Sequence, residues 1–82
     1  MTTRAEIFDA IDRERSYQDQ KWGTLVQHPH QLDEWIGIMA RKLREARRAW
    51  AKEPSVNPAK AELLQVIAVG VAALEQHGVI ER

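Results

Sequence analysis

From Leu63 to Leu74 (LLQVIAVGVAAL) the only polar residue is Gln65. Wound into a helix, such a run puts apolar side chains on every side, and a helix of that kind is stable only where it is covered all round. Two partner helices from a chain of 82 residues cannot cover it on every side. A chain this short hides only about 60–65% of the surface its unfolded form exposes. Small cores are usually completed by disulfides, a structural metal or a partner subunit. There is no cysteine, so disulfides and thiolate zinc sites are excluded and a reducing compartment fits. The run therefore predicts self-association, with Ala68, Gly70, Ala72 and Ala73 small enough to let helices approach closely. It is too short to span a bilayer. Residues Met1 to Arg4 lack the apolar core of a secretory leader, so the expected location is the cytoplasm. Twelve basic residues balance twelve acidic ones; this charge balance argues against a nucleic-acid or membrane partner.

Proline and glycine divide residues 1–82 into three helical blocks within one domain, and no repeat, low-complexity tract or linker separates them. The expected fold class is all-α, a small bundle of three main helices. Thr3 and Glu6 form a candidate capping box at the start of the first block. Ile7, Phe8 and Ile11 make its apolar stripe, and Trp22-Gly23 ends it. Thr24 to Gln31 reads as a loop, because Pro29 disfavours helix just before it. The second helix is expected from Asp33, as cap, to about Lys52. Trp35, Ile36, Met39, Leu43, Ala46 and Trp50 cover about one third of its circumference, with Arg41, Arg44, Arg48 and Lys52 opposite. Glu53 to Asn57 is expected to turn, with Asn57 as cap and Pro58 at the first helical position of the third helix. That helix is expected to run to about Gln76, with Gly78 as C-cap.

Three groups of residues are candidates for a site. Gln65 lies inside the apolar run, and a buried amide left without partners costs about 1–3 kcal/mol. It either bonds another helix or lines a pocket with Glu62, one turn earlier on the same face. Glu45 sits among Arg41, Lys42, Arg44, Arg47 and Arg48, as a local ion pair or as the edge of an anion-binding surface. Arg15, Gln18, Asp19, Lys21 and Trp22 crowd the end of the first helix; such an end is solvated, or it suits a base or a phosphate. His28 and His30 lack a third nitrogen or sulfur ligand nearby, which argues against a metal there. No glycine-rich phosphate loop or hydrolase triad is present.

Glu14-Arg15-x-x-Gln18-Asp19-x-Lys21-Trp22-Gly23, then a histidine-bearing loop, Trp35, and Glu62-Leu63-x-Gln65-Val66-x-Ala68-Val69 through Leu74-Glu75 resemble the short MazG-like proteins of phages and bacteria. The similarity runs over nearly the whole chain in order. It implies the all-α nucleoside triphosphate pyrophosphohydrolase fold, assembled as a homodimer or a dimer of dimers. Active members hold Mg²⁺ with carboxylates of an EExxE helix and an ExxD helix, and release a nucleoside monophosphate and pyrophosphate. The first motif maps here onto Arg41-Lys42-Leu43-Arg44-Glu45 and the second onto Glu62-Leu63-Leu64-Gln65.

Only Glu45 and Glu62 of those acids remain. Mg²⁺ is held through carboxylates and substrate phosphates, whereas Arg41 and Lys42 would repel it. At about 4 Å each unit-charge reversal is worth roughly 4 kcal/mol at an effective dielectric near 20. The resemblance thus implies nucleotide binding without Mg²⁺-dependent hydrolysis and without a cofactor. Arg41, Lys42 or Arg44 would contact phosphate, Trp22 or Trp35 the base, and Gln18 and Gln65 would give polar specificity. Two alternatives stand beside it. One is an active pyrophosphohydrolase with Mg²⁺ on Glu45 and Glu62, the other a protein-interaction module of phage origin acting in the host cytoplasm through the basic face of the second helix.

Overall fold

Thr3 caps the first helix with an extended backbone (φ −77°, ψ 159°) and a hydroxyl that accepts from the Glu6 N–H at 3.2 Å. The Glu6 carboxylate accepts in turn from the Thr3 hydroxyl at 3.0 Å, rather than from the Thr3 N–H as a full capping box requires. The computed structural model describes residues 1–52 and 56–80. Over these the chain is all-helical: α1 Arg4–Trp22, α2 Leu32–Lys52 and α3 Val56–His77. Gly23 ends α1 at φ 91°, its N–H donating to the Asp19 carbonyl at 3.0 Å. Gly78 ends α3 at φ 84°, its N–H donating to the Leu74 carbonyl at 2.8 Å. Both conformations are cheap only for glycine.

Two expected caps move. The first backbone bond of α2 runs from the Trp35 N–H to the Gln31 carbonyl, and Glu34 Oε1 accepts from the Gln31 N–H at 2.7 Å. Gln31 therefore holds the cap position. Asp33 lies inside the first turn, where its charge still faces the positive end of the helix. In α3 the helix already includes Val56, so Asn57 and Pro58 sit in its first turn. Proline costs little there, because the first four N–H groups of a helix have no intrahelical acceptor. Of the turn expected at Glu53 to Asn57, residues 53–55 lie outside the described residues.

α3 is the spine. It packs along α2 and more briefly against α1, while α1 and α2 do not come together. Trp35, Val69, Ala72 and Ala73 form the core, with Leu25, Ile38 and Met39 packed on them. The small residues of α3 are used within the chain: a Cβ on Gly70 would lie 3.1 Å from Met39 Cε, so glycine makes room for that methionine. The inward face of α2 is turned from the expected one. Trp35 is buried and Met39 and Ala46 half-buried, but Ile36, Leu43 and Trp50 are exposed, and Ile38, Lys42 and Glu45 are half-buried instead. Arg41, Arg44, Arg48 and Lys52 are exposed, as expected. In α1, Ile11 is buried while Ile7 and Phe8 are not; the inner surface is made by Arg15 and Gln18.

One chain leaves much of the apolar run of α3 uncovered. Leu63 is 47% and Leu74 51% exposed, with Ile67 beside them on the open side. The chain exposes 6562 Å², where a compact monomer of this mass exposes about 5000 Å². Its radius of gyration is 13.5 Å, against about 12 Å for a compact chain of this length. No described helix is long and apolar enough to cross a membrane.

Candidate functional site

Because α1 and α2 flank α3 without meeting, a cleft of about 280 Å³ opens between them, with Val69 and Ala72 of α3 as its floor. α1 contributes Arg15, Gln18, Asp19 and Trp22; α2 contributes Trp35, Ile38, Arg41 and Lys42; the connecting loop contributes Gly23, Leu25, His28 and His30. Six of the ten residues singled out by sequence therefore line one cavity: Arg15, Gln18, Trp22, Trp35, Arg41 and Lys42. Lys21 adjoins it through its ammonium over the Trp22 ring, and Gln65 through hydrogen bonds with Gln18 and Lys42. Glu45 and Glu62 do not line it.

The α1 wall is polar and tightly held. Arg15 is 7% exposed; its Nε donates to Glu75 Oε2 at 2.8 Å and a terminal nitrogen to Asp19 Oδ1 at 2.5 Å. This guanidinium ties α1 to α3 and is largely neutralised. Gln18 is 4% exposed. Its Nε2 donates to the Gln65 backbone carbonyl at 3.2 Å, with Glu14 Oε2 at 3.5 Å. Its Oε1 takes no donor from the described residues, which leaves an amide acceptor available at the cleft wall.

The α2 wall is cationic. Among the described residues neither Arg41 nor Lys42 is paired with a carboxylate. Lys42 Nζ lies 5.0 Å from the centre of the Trp22 ring and 3.4 Å from Gln65 Oε1, a long bond to a neutral group. Lys21 Nζ lies 5.3 Å from the centre of the same ring. Such ammonium–indole contacts are worth about 0.5–1 kcal/mol at exposed sites, too little to quench a charge. The charged lining residues are thus three cations and one carboxylate, and that carboxylate is spent on Arg15. An indole half open to solvent stands beside a free ammonium, which suits an anion attached to a flat ring.

Mg²⁺ fits this arrangement poorly. It needs several oxygen donors in near-octahedral order, and among the described residues no three acids or histidines come together as a metal-holding group. Glu62 has a buried Oε2 with no hydrogen-bond partner among the described residues, but this carboxylate does not line the cleft.

Sequence reasoning gave no site role to Ile38, Leu25, Val69 or Ala72, and considered His28 and His30 only as metal ligands. Their share in the cleft depends on how the loop folds back. Gln65 proves to be half-buried, with its side-chain oxygen on Lys42 and its backbone carbonyl on Gln18. It therefore both bonds other helices and adjoins the cleft. No family model, no curated protein and no solved structure matches this chain.

Proposed function

We propose that this is a MazG-like protein that binds a nucleotide or nucleotide-derived signal in the α1–α2 cleft without Mg²⁺-dependent hydrolysis. One observation carries the reading: Lys42, free of any carboxylate among the described residues, lies against the Trp22 indole at the cleft wall. Phosphate would meet Lys42 and Arg41, the ring would rest on Trp22 or Trp35, and the open Gln18 oxygen would accept from an N–H of the base. Titration calorimetry across nucleoside triphosphates, monophosphates and cyclic dinucleotides tests it. Binding should survive EDTA and weaken at least tenfold in Lys42→Ala, and silence across the whole panel would end the proposal.

The working form is a homodimer or a dimer of dimers in the cytoplasm. The surplus surface of about 1500 Å² per chain over a compact monomer exceeds the roughly 800 Å² that each partner gives to a standard interface and is of the size that obligate homodimers bury. The exposed Leu63 and Trp50 line one shared apolar groove between α2 and α3, and a second copy would cover it. Sedimentation should show wild type above monomer mass and Leu63→Glu shifted towards it; a monomeric wild type would reject this assembly. A protein-interaction role remains the second reading, because Arg44, Arg47 and Arg48 form an exposed row without carboxylate partners among the described residues. Partner capture that needs those arginines but not Trp22 would favour it.

A further inference from the structure

Gln76, in the last turn of α3, lies outside the cleft yet holds two of its walls. Its Oε1 accepts from the His30 backbone N–H at 3.1 Å and from the Trp35 indole N–H at 3.0 Å. Its Nε2 donates to the His30 carbonyl at 2.6 Å. One amide thus satisfies both backbone polar groups of His30 and the indole N–H of the buried aromatic. The rest of the loop bonds mainly to itself: Thr24 and Gln27 bond one another through backbone and side chain, and the His28 N–H meets the Thr24 carbonyl. Besides Gln76, the polar ties from this loop to α3 among the described residues come down to His77 Nε2, 2.9 Å from the same His30 carbonyl. The His30 ring meets Trp35 edge-on at 4.7 Å, so fixing one places the other.

We infer that Gln76 is a positioning residue for ligand binding. It acts through His30 and Trp35, setting the loop wall and the α2 wall at the separation the ligand requires. The inference rests on the reading of the cleft as a nucleotide site. An amide is suited to the task because it offers two acceptor lone pairs and a donor at once, and residues that hold ligand-contacting groups in place govern affinity without touching the ligand.

Charge chemistry gives the test its discrimination. In Gln76→Glu a protonated carboxyl can still accept from the two N–H groups and donate to the His30 carbonyl. The carboxylate cannot donate, and it would face that carbonyl oxygen. A free glutamate carboxyl titrates at about pH 4.3, so the variant should come closest to wild type at about pH 4 and lose affinity at pH 8, where it is a carboxylate. His30 of the loop, Glu34 of α2, His77 of α3 and the Arg15–Glu75 pair surround this junction. All are common to both proteins, so affinities are taken as ratios to wild type at each pH.

ATP, GTP, CTP and dTTP serve as probes, titrated into full-length wild type, Gln76→Leu and Gln76→Glu at pH 4 and pH 8, with helix content followed by circular dichroism at each pH. The inference expects at least a tenfold loss in Gln76→Leu at both pH values. For Gln76→Glu it expects a tenfold loss at pH 8 and a distinctly smaller loss at pH 4. Wild-type binding with an undiminished Gln76→Leu, or a Gln76→Glu ratio independent of pH, overturns the positioning role alone. Failure of wild type to bind any of the four removes the reading of the site, and this inference with it.

Discussion

The two seams of α3 are built from different chemistry. Against α2 it presents small apolar residues, and Ala72, Ala73 and Val69 close on Trp35, with Met39 filling the space over Gly70. Against α1 it presents polar groups, where Glu75 holds Arg15 and the Gln65 carbonyl holds the Gln18 amide. Apolar packing is non-directional and scales with buried area, so the first seam supplies stability over its whole length. Hydrogen bonds are directional and add about 0.5–1.5 kcal/mol net each, or about 1.5–3 kcal/mol where a charged group takes part. The second seam therefore adds less stability but fixes orientation, and it leaves donors and acceptors beside open space. The cleft lies where a polar seam ends and no backbone packing between α1 and α2 closes the bundle.

The sharpest way to break this contrast is Trp35→Ala. The indole is buried at the apolar seam, and truncating a buried aromatic costs about 3–5 kcal/mol. In a small domain that is most of the available stability. Urea unfolding at fixed protein concentration should show a large fraction already unfolded in buffer; a loss under about 1 kcal/mol would mean that the α2–α3 seam is not the main source of stability.

Arg15→Met probes the polar seam. Removing one partner of a fully buried ion pair costs about 3–5 kcal/mol, but the Asp19 and Glu75 side chains are 37% and 46% exposed and can regain water. The expected loss is about 1–2 kcal/mol, with a weaker response of stability to added salt than in wild type. A loss equal to that of Trp35→Ala would erase the distinction between the seams.

Gly37→Ala, on the outer side of α2, should have the smallest effect and the opposite sign. A Cβ there meets nothing within 4 Å, and alanine exceeds glycine in helix propensity by about 0.8–1.0 kcal/mol. Thermal unfolding should rise by roughly 4–8 °C. A fall would reveal that another chain packs at that position in the assembled protein.

Much of this architecture was legible in residue order. Thr3, Gly23 and Gly78 mark helix ends by local chemistry, and local chemistry does not wait for the fold. The outward row of Arg41, Arg44, Arg48 and Lys52 followed from helical period alone. The inward faces were less legible. Ile7, Phe8, Leu43 and Trp50 were expected inside on hydropathy, yet a single chain leaves them exposed, while Arg15 and Gln18 go in because their polar groups find Glu75, Asp19 and a backbone carbonyl there. Hydropathy registers how costly burial is, and it cannot register partners 47 to 60 positions away.

The order of residues by itself settled that this chain is three helices and that the last of them carries a run from Leu63 to Leu74 that is polar only at Gln65, because capping, helix period and turn chemistry act over a few neighbouring positions. Tertiary structure alone decided that Arg15 and Gln18 turn inward while Ile7, Phe8, Leu43 and Trp50 do not, that the α1 and α2 backbones flank α3 apart and meet only through side chains such as Lys42 and Trp22, and that Gln76 reaches His30 and Trp35. Those outcomes depend on how rigid cylinders with particular side chains fit together in space, and no local stretch of the chain encodes that fit.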